Sequence, residues 1–371
     1  MKNKINIITI VSCILVAVLL SVMFFVFPDK EFSQKENRSL TTVPTFSISQ
    51  LLSGEYTTNL ARYISDQFPL RDGFVSLKAY SELVLGKREN NGVIYAAGDI
   101  LIDRNTITQN RLSDNLQAVK DFETATNTNV CVAVLPRTVD VFSEYLPSTY
   151  PTQTDFELWQ NYYKIAEENE IVAPDLYDEL CAGNNYYRTD HHYNVFGAYQ
   201  TYGLLGETLG YKPKELSFFK QEEVSRDFCG TSMRTSGFYL AKKDSITLLR
   251  YDADSDYSIV ADGKKIQMYN KSRLETTDQY SVFLGGNHAR VDISSGEGKE
   301  KLLVIRDSFA DSLAPLLALH YDLIMLDLRY FSGNIQQLVA QENIQLVLIL
   351  QSMAEFATAK NISYLRKGVQ Q

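Results

Sequence analysis

The sequence predicts an α/β fold: a mostly parallel sheet with helices on both faces, interrupted by a β-rich insertion and preceded by an N-terminal transmembrane helix. Three observations carry this. Helical patterns alternate with short apolar runs from residue 108 to 209 and again from 301 to 350, as parallel strands joined by crossover helices require. The stretch between them, about 215–290, is rich in Ser, Thr, Tyr and Asp and carries only short β-like runs. Finally, Ile5–Phe27 is a run of 23 residues without a charge, enough to span a bilayer as a helix.

Taken in order, Lys2 and Lys4 precede the apolar run and Asp29, Lys30 and Glu31 follow it, which predicts the amino end inside. The run ends Met23-Phe-Phe-Val-Phe-Pro28, with no small-x-small cleavage site. An uncleaved signal anchor is therefore expected, with a cleaved signal peptide as the competing reading. This makes the chain a single-pass protein of the cell membrane with its remaining mass extracytoplasmic. Residues 28–48 read as a polar stalk. From Ile48 to Leu85 the apolar residues fall at helical spacing, broken into two helices at Pro69. Gly92–Ile102 reads as a hairpin turning at Gly98-Asp99. Helices are expected at 108–126, 155–169, 196–209, 309–319 and 335–341. Strands are expected at Val130–Leu135, Ile171–Leu176, Lys301–Ile305, Leu323–Leu326 and Gln345–Leu350. Within the insertion, Ile246–Leu249, Tyr257–Ala261, Lys265–Tyr269 and Tyr280–Leu284 are the strand-like runs. The expected organisation is a tip and anchor at 1–27, stalk and N-terminal helices at 28–90, and an α/β domain at 91–371.

Composition narrows the chemistry. The chain has 371 residues, 45% hydrophobic, with 36 Lys+Arg against 45 Asp+Glu and a net charge of −9. No concentrated basic surface is visible, so nucleic acid is excluded as a partner, and neutral or polar substrates are favoured over anionic ones. Cys13 lies in the anchor, leaving Cys131, Cys181 and Cys229, without a CxxC or Cys/His metal spacing. No resident metal or cofactor is expected, and Cys131, inside an apolar strand pattern, reads as a packed thiol. Only four histidines occur, and His191 and His192 are adjacent. Residues able to run acid–base chemistry near neutral pH are thus scarce and concentrated at one place.

Two constellations could carry chemistry. Strand Lys301–Ile305 runs into Arg306-Asp-Ser-Phe309, which puts Ser308 at a strand-to-helix turn beyond a carboxyl end, where open sheets gather ligand chemistry. Asp307 or Ser308 could equally cap the next helix. In Arg188-Thr-Asp-His-His-Tyr-Asn194, Asp190 and His192 are two apart and share a face in extended backbone. Such a pair suits a general base with its orienting carboxylate, while a helix start, a metal site or a structural cluster remain alternatives. The next two strands end at Asp327-Leu-Arg329 and Gln351-Ser352. Gln351 could donate to an oxyanion, and Arg329 could bind a substrate oxygen or pair with Asp327. Gly285-Gly-Asn-His288 adds Asn287 as a candidate lining residue.

Four blocks resemble the DHHW protein family: Thr189-Asp-His-His-Tyr-Asn-Val-Phe-Gly-Ala198, with Tyr193 in place of the tryptophan, Phe283-Leu-Gly-Gly-Asn-His288, Leu302-Leu-Val-Ile-Arg-Asp-Ser-Phe309 and Asp327-Leu-Arg-Tyr-Phe331. That family is similar in turn to the SGNH-like domains of alginate and other exopolysaccharide O-acetyltransferases. The resemblance implies an SGNH-hydrolase-like fold with Ser308 as nucleophile, His192 as base and Asp190 as orienting carboxylate; Arg306 stands where a glycine is usual. It implies a serine-dependent O-acetyltransferase acting on hydroxyls of a cell-surface polysaccharide, with a membrane O-acyltransferase as the partner that supplies the acyl group. A carbohydrate esterase with the same triad, or an envelope scaffold that keeps the fold without turnover, are the alternatives.

Overall fold

The computed structural model describes residues 2–33, 38–104, 107, 110–148, 150 and 153–366. Met1 and the start of the helix expected from residue 108 lie outside these. The chain divides into two compact units, Met1–Lys87 with Arg234–Tyr239, and Arg88–Met233 with Leu240–Gln371.

The first unit begins with α1 (Lys2–Val26), of which Asn6–Val26 is apolar enough to cross a membrane and is not buried. The expected stalk is not wholly irregular: β1 (Phe32–Ser33) and β2 (Arg38–Ser39) pair antiparallel. Helices α2 (Ile48–Leu52), α3 (Glu55–Asp66) and α4 (Arg71–Val84) follow, so the break at Pro69 is present and Gly54, at φ 78°, adds a second. Gln67 fastens the stalk to the helices: its side-chain oxygen accepts from the Lys30 amide at 2.9 Å, and its nitrogen donates to the Thr41 carbonyl at 3.0 Å. The Arg38 guanidinium beside Asp66 holds that carboxyl well below the usual range.

In the second unit, β3 (Glu89–Asn90), β4 (Val93–Tyr95) and β5 (Leu101–Asp103) form a small antiparallel sheet, with the expected turn at Gly98-Asp99. Then come α5 (Leu112–Thr126), β6 (Asn129–Leu135), α6 (Thr138–Val141), α7 (Gln153–Glu168), α8 (Tyr177–Cys181) and α9 (Val195–Leu209). Next are β7 (Lys220–Phe228), α10 (Thr231–Ser236), whose residues from Arg234 on are assigned to the first unit, β8 (Asp244–Arg250), β9 (Ser258–Ala261) and β10 (Lys264–Lys265). The chain closes with β11 (Arg290–Ser294), β12 (Lys301–Arg306), α11 (Ala310–Leu317), β13 (Asp322–Leu326), α12 (Ile335–Glu342), β14 (Leu346–Ser352) and α13 (Met353–Thr358).

Seven strands make the main sheet in the order β10-β9-β11-β13-β12-β14-β6. Strands β6, β14, β12 and β13 are parallel, and β11, β9 and β10 join antiparallel at one edge. The sheet is therefore mixed rather than mostly parallel. The physical reason is that the presumed insertion is not separate: β9 and β10 come from it and extend the sheet, while only β7 and β8 pair apart from it. Alternation explains why β6, β12 and β14 read as unbroken apolar runs. Cys131, Ala133 and Leu135 face one core with Leu302, Val304, Leu348 and α9, while Val130, Val132 and Val134 face another with Leu303, Ile305, Val347 and α5. Burial pushes the Cys131 thiol up to about 12, as suits a packed group.

Two expected strands are absent. Ile171–Leu176 contributes only a bridge between Val172 and Cys131, because Pro174 has no N–H to extend a ladder. Tyr280–Leu284 instead lies partly in a 3₁₀ turn, Gln279–Val282. The run Leu284, Gly285, Gly286 has φ of 56°, 84° and 119°, which no strand accommodates. Of Lys265–Tyr269 only the first residue is in a strand.

Candidate active site

Strand β12 delivers Ser308 two residues past its end, and the turn is built by Asp307. One Asp307 oxygen accepts the Phe309 amide at 3.0 Å and the other accepts the Ser352 amide at 2.8 Å, tying the serine turn to the end of β14. Asp307 is buried, and burial raises its carboxyl above the usual range despite those two hydrogen bonds. Among the described residues the Ser308 N–H has no protein acceptor, which leaves it available to a developing negative charge. Arg306 does not need a glycine's freedom: it is ordinary strand backbone opposite Leu350. Its fully buried guanidinium donates to Asp311 at 2.7 Å and to the His288 carbonyl at 3.2 Å.

His192 arrives on a bent loop, residues 188–192, which the antiparallel bridge between Tyr186 and Tyr193 closes just before α9; the extended backbone expected there is not present. Asn194 caps that helix, accepting the amides of Phe196 and Gly197 at 2.9 and 3.1 Å, which fixes where the loop ends. His192 Nε2 lies 2.7 Å from Ser308 Oγ, and His192 Nδ1 lies 2.6 Å from Asp190 Oδ1. A carboxylate only accepts, so a ring carrying one proton holds it on Nδ1, and Nε2 is left to accept from the serine hydroxyl. Asp190 Oδ1 also accepts the His192 amide at 3.0 Å, and its Oδ2 accepts the Thr231 amide at 2.6 Å. Burial opposes a charge on Asp190. The two histidines and these hydrogen bonds outweigh it and hold the carboxyl well below the usual range.

Several supporting groups could not be read from the sequence. Tyr280 stacks on the His192 ring, centroids 3.9 Å apart and planes within 11°, and its hydroxyl lies 3.2 Å from both the Ser308 carbonyl and Ser312 Oγ. Phe309 closes another side of the imidazole at 4.8 Å. The Tyr193 hydroxyl donates to the Phe309 carbonyl at 2.7 Å, binding the histidine segment to the serine turn. Gly230 lets the Thr231 loop reach Asp190: a Cβ there would stand 2.3 Å from the Thr189 carbonyl oxygen and 2.4 Å from Asp190 Cβ. Tyr280 lay inside an expected strand, and Gly230 carried no motif, so only tertiary packing identifies them.

The remaining candidates are placed differently. Arg329 donates through Nε and a terminal nitrogen to both oxygens of Asp327, at 2.6–3.2 Å, so the ion-pair alternative is the arrangement present. Gln351 is buried near the end of β14, one residue past the Leu350–Arg306 pair, and its Oε1 has no hydrogen-bond partner among the described residues. Asn287 is exposed in the loop after Gly286, and no hydrogen bond among the described residues joins it to Ser308. The His191 ring lies tilted against His192, centroids 4.0 Å apart, with its Nδ1 3.8 Å from Asp190. Asp190, His191 and His192 offer ligand atoms within 4.8 Å of one another. However, the His192 and Asp190 atoms are already paired with each other.

The DHHW protein family model matches residues 162–326, a segment holding three of the four blocks on which the resemblance rests and ending just before the fourth. A curated relative, the probable alginate O-acetylase AlgJ of Azotobacter vinelandii, is 24% identical over 171 residues, 43% of this chain and 44% of that protein. The match therefore spans less than half the length of that relative. A DHHW family protein from Eubacterium siraeum has a similar structure, with a TM-score of 0.62 and 21% identity over 76% of this chain and 97% of that one. Bacillus cereus PatB1, solved with a sulfonyl adduct, gives a TM-score of 0.61 and 19% identity over 74% and 98%. The likeness to the DHHW family read from the residues is borne out, and the solved structures share the fold.

Proposed function

We propose that this chain is an extracytoplasmic, serine-dependent O-acetyltransferase that moves an acyl group to a hydroxyl of a cell-surface polysaccharide. The observation that carries the reading is the continuous relay Asp190–His192–Ser308, with contacts of 2.6 and 2.7 Å. The likeness to a probable alginate O-acetylase supports the choice of substrate class.

The geometry suits the following sequence. His192 Nε2 takes the Ser308 proton as Oγ attacks the acyl carbonyl carbon, while the Ser308 N–H faces the oxygen that gains charge. The donor's C–O bond breaks as His192 returns the proton to the departing oxygen, leaving an acyl-serine. A sugar hydroxyl then gives its proton to His192, attacks the same carbonyl and leaves with the acyl group, and Ser308 regains its proton. Asp190 holds the ring in the productive tautomer and balances the imidazolium charge. The donor is handed over by a membrane O-acyltransferase partner, since the acceptor chemistry lies outside the cell.

Hydrolysis of an aryl acetate by the full chain in detergent tests this. Ser308→Ala and His192→Ala should each lower turnover by roughly 10³-fold or more, the scale on which members of such a relay act together. Turnover that survives both substitutions would sink the reading.

A further inference from the structure

Helix α4 carries an apolar stripe that its own unit leaves uncovered. Leu70, just before it, and Phe74, Leu77 and Val84 recur at helical spacing and are all exposed, Leu70 by 66%, Leu77 by 62% and Val84 by 87%. Ala79, half a turn away in angle, is the buried residue of the helix. The inward face is thus satisfied, and the outward face is apolar where a soluble helix would be polar. The end of α3 adds Ile64 and Phe68, also exposed.

The position of this stripe along α1 says what covers it. The apolar window of α1 is 21 residues, Asn6–Val26, whose helical length of about 30 Å matches the hydrocarbon thickness of a bilayer. Its outer boundary therefore falls near Val26. Phe24 lies inside that boundary, and its ring meets Tyr63 of α3 edge-on at 5.9 Å. A cavity of about 650 Å³ is lined by Met23, Phe24 and Phe27 together with Phe68, Leu70 and Arg71. Phe27, Phe32 and Phe68 line this cavity with Lys30, beside Asp29, Asp66 and Asp72, and aromatic residues and a lysine at the end of a span suit the headgroup level.

We propose that the end of α3 and the outward face of α4 form an interfacial membrane element, seated in the headgroup region of the outer leaflet beside α1. The chain then holds the bilayer twice, by a spanning helix and by an in-plane helix, and the second hold fixes the rotation and tilt that a lone span leaves free. The inference rests on α1 spanning the membrane. The occupant is lipid rather than a protein because the stripe starts at the end of an apolar span: Leu70 lines the same cavity as Met23 and Phe24, and Phe74 meets Phe68 of that cavity edge-on at 5.6 Å.

Tryptophan fluorescence of the full-length chain in vesicles of phosphatidylcholine and phosphatidylglycerol tests it. Trp159 is the single tryptophan and is buried, so Trp159→Phe gives a dark background. Into it Phe74→Trp, Leu77→Trp and Val18→Trp are placed one at a time; all three positions are exposed, so the fold does not depend on them. The proposal expects Trp at 74 and at 77 to lose more than half its emission to brominated phosphatidylcholine and to be shielded from aqueous iodide. Quenching by iodide without quenching by bromolipid overturns it. Shielding from both overturns it as well, since a protein surface then covers the stripe. Val18→Trp separates the premises: quenched by bromolipid while positions 74 and 77 are not, it leaves the anchor standing and removes this proposal. Unquenched, it removes both.

Discussion

At Asp190, three donors meet one small carboxylate, and the consequence is a pH dependence with a definite sign. The folded-state carboxyl is held below its ordinary value, so its contribution to stability is present above the unfolded carboxyl range of about 4. That contribution is lost as pH falls through the lower, folded value. Denaturant unfolding followed by Trp159 should therefore show stability declining below about pH 4, and Asp190→Asn should flatten that decline. The same variant should cut turnover by about 10⁴-fold with the fold intact, because the amide can donate to Nδ1 and stabilise the wrong tautomer. An unchanged acid limb in Asp190→Asn would show that the charge is not what the histidine segment holds. Asp190 and His192 were legible in the sequence because histidine is scarce and concentrated there, but not through a shared face of extended backbone: the segment bends, and Asp190 Oδ1 accepts both the His192 amide and its ring N–H. For Arg329 the sequence offered a substrate oxygen or the Asp327 carboxylate as partner, and only the folded chain shows that the pair with Asp327 forms.

Elements explain how residues 116 apart meet. Helix α9 starts at a cap that fixes the end of the histidine segment, β12 ends at a turn that Asp307 ties to β14, and Tyr193 and Tyr280 join the two. Tyr280→Leu should lower turnover while leaving Trp159-reported stability within about 1 kcal/mol of wild type plus the lost packing, whereas Tyr280→Phe, which keeps the stack, should retain most activity. A Phe variant as impaired as Leu would assign the role to the hydroxyl instead. Gly230→Ala should destabilise by about 1–3 kcal/mol, since the added Cβ meets backbone rather than a side chain that can move. Parallel strands were readable because both faces of β6, β12 and β14 are buried, so their apolar runs are continuous. The antiparallel edge was not readable: β9, β10 and β11 are short and partly polar, and nothing local tells whether such strands join a large sheet or pair among themselves.

For the whole molecule, charge is the informative property. A chain at −9 repels a polyanionic glycan at long range, and salt screens that repulsion over about 10 Å at 0.1 M. Transfer to a uronate polymer should therefore speed up as salt is raised, while transfer to a neutral polymer stays flat; the reverse pattern would point to a local cationic surface for the acceptor. The most direct test of the central claim is the intact mass of the full chain after brief mixing with an aryl acetate. The account predicts one added acetyl, mapped to the peptide bearing Ser308, absent in Ser308→Ala and strongly reduced in His192→Ala. An acetyl that lodges elsewhere, or that forms equally well without His192, would contradict it.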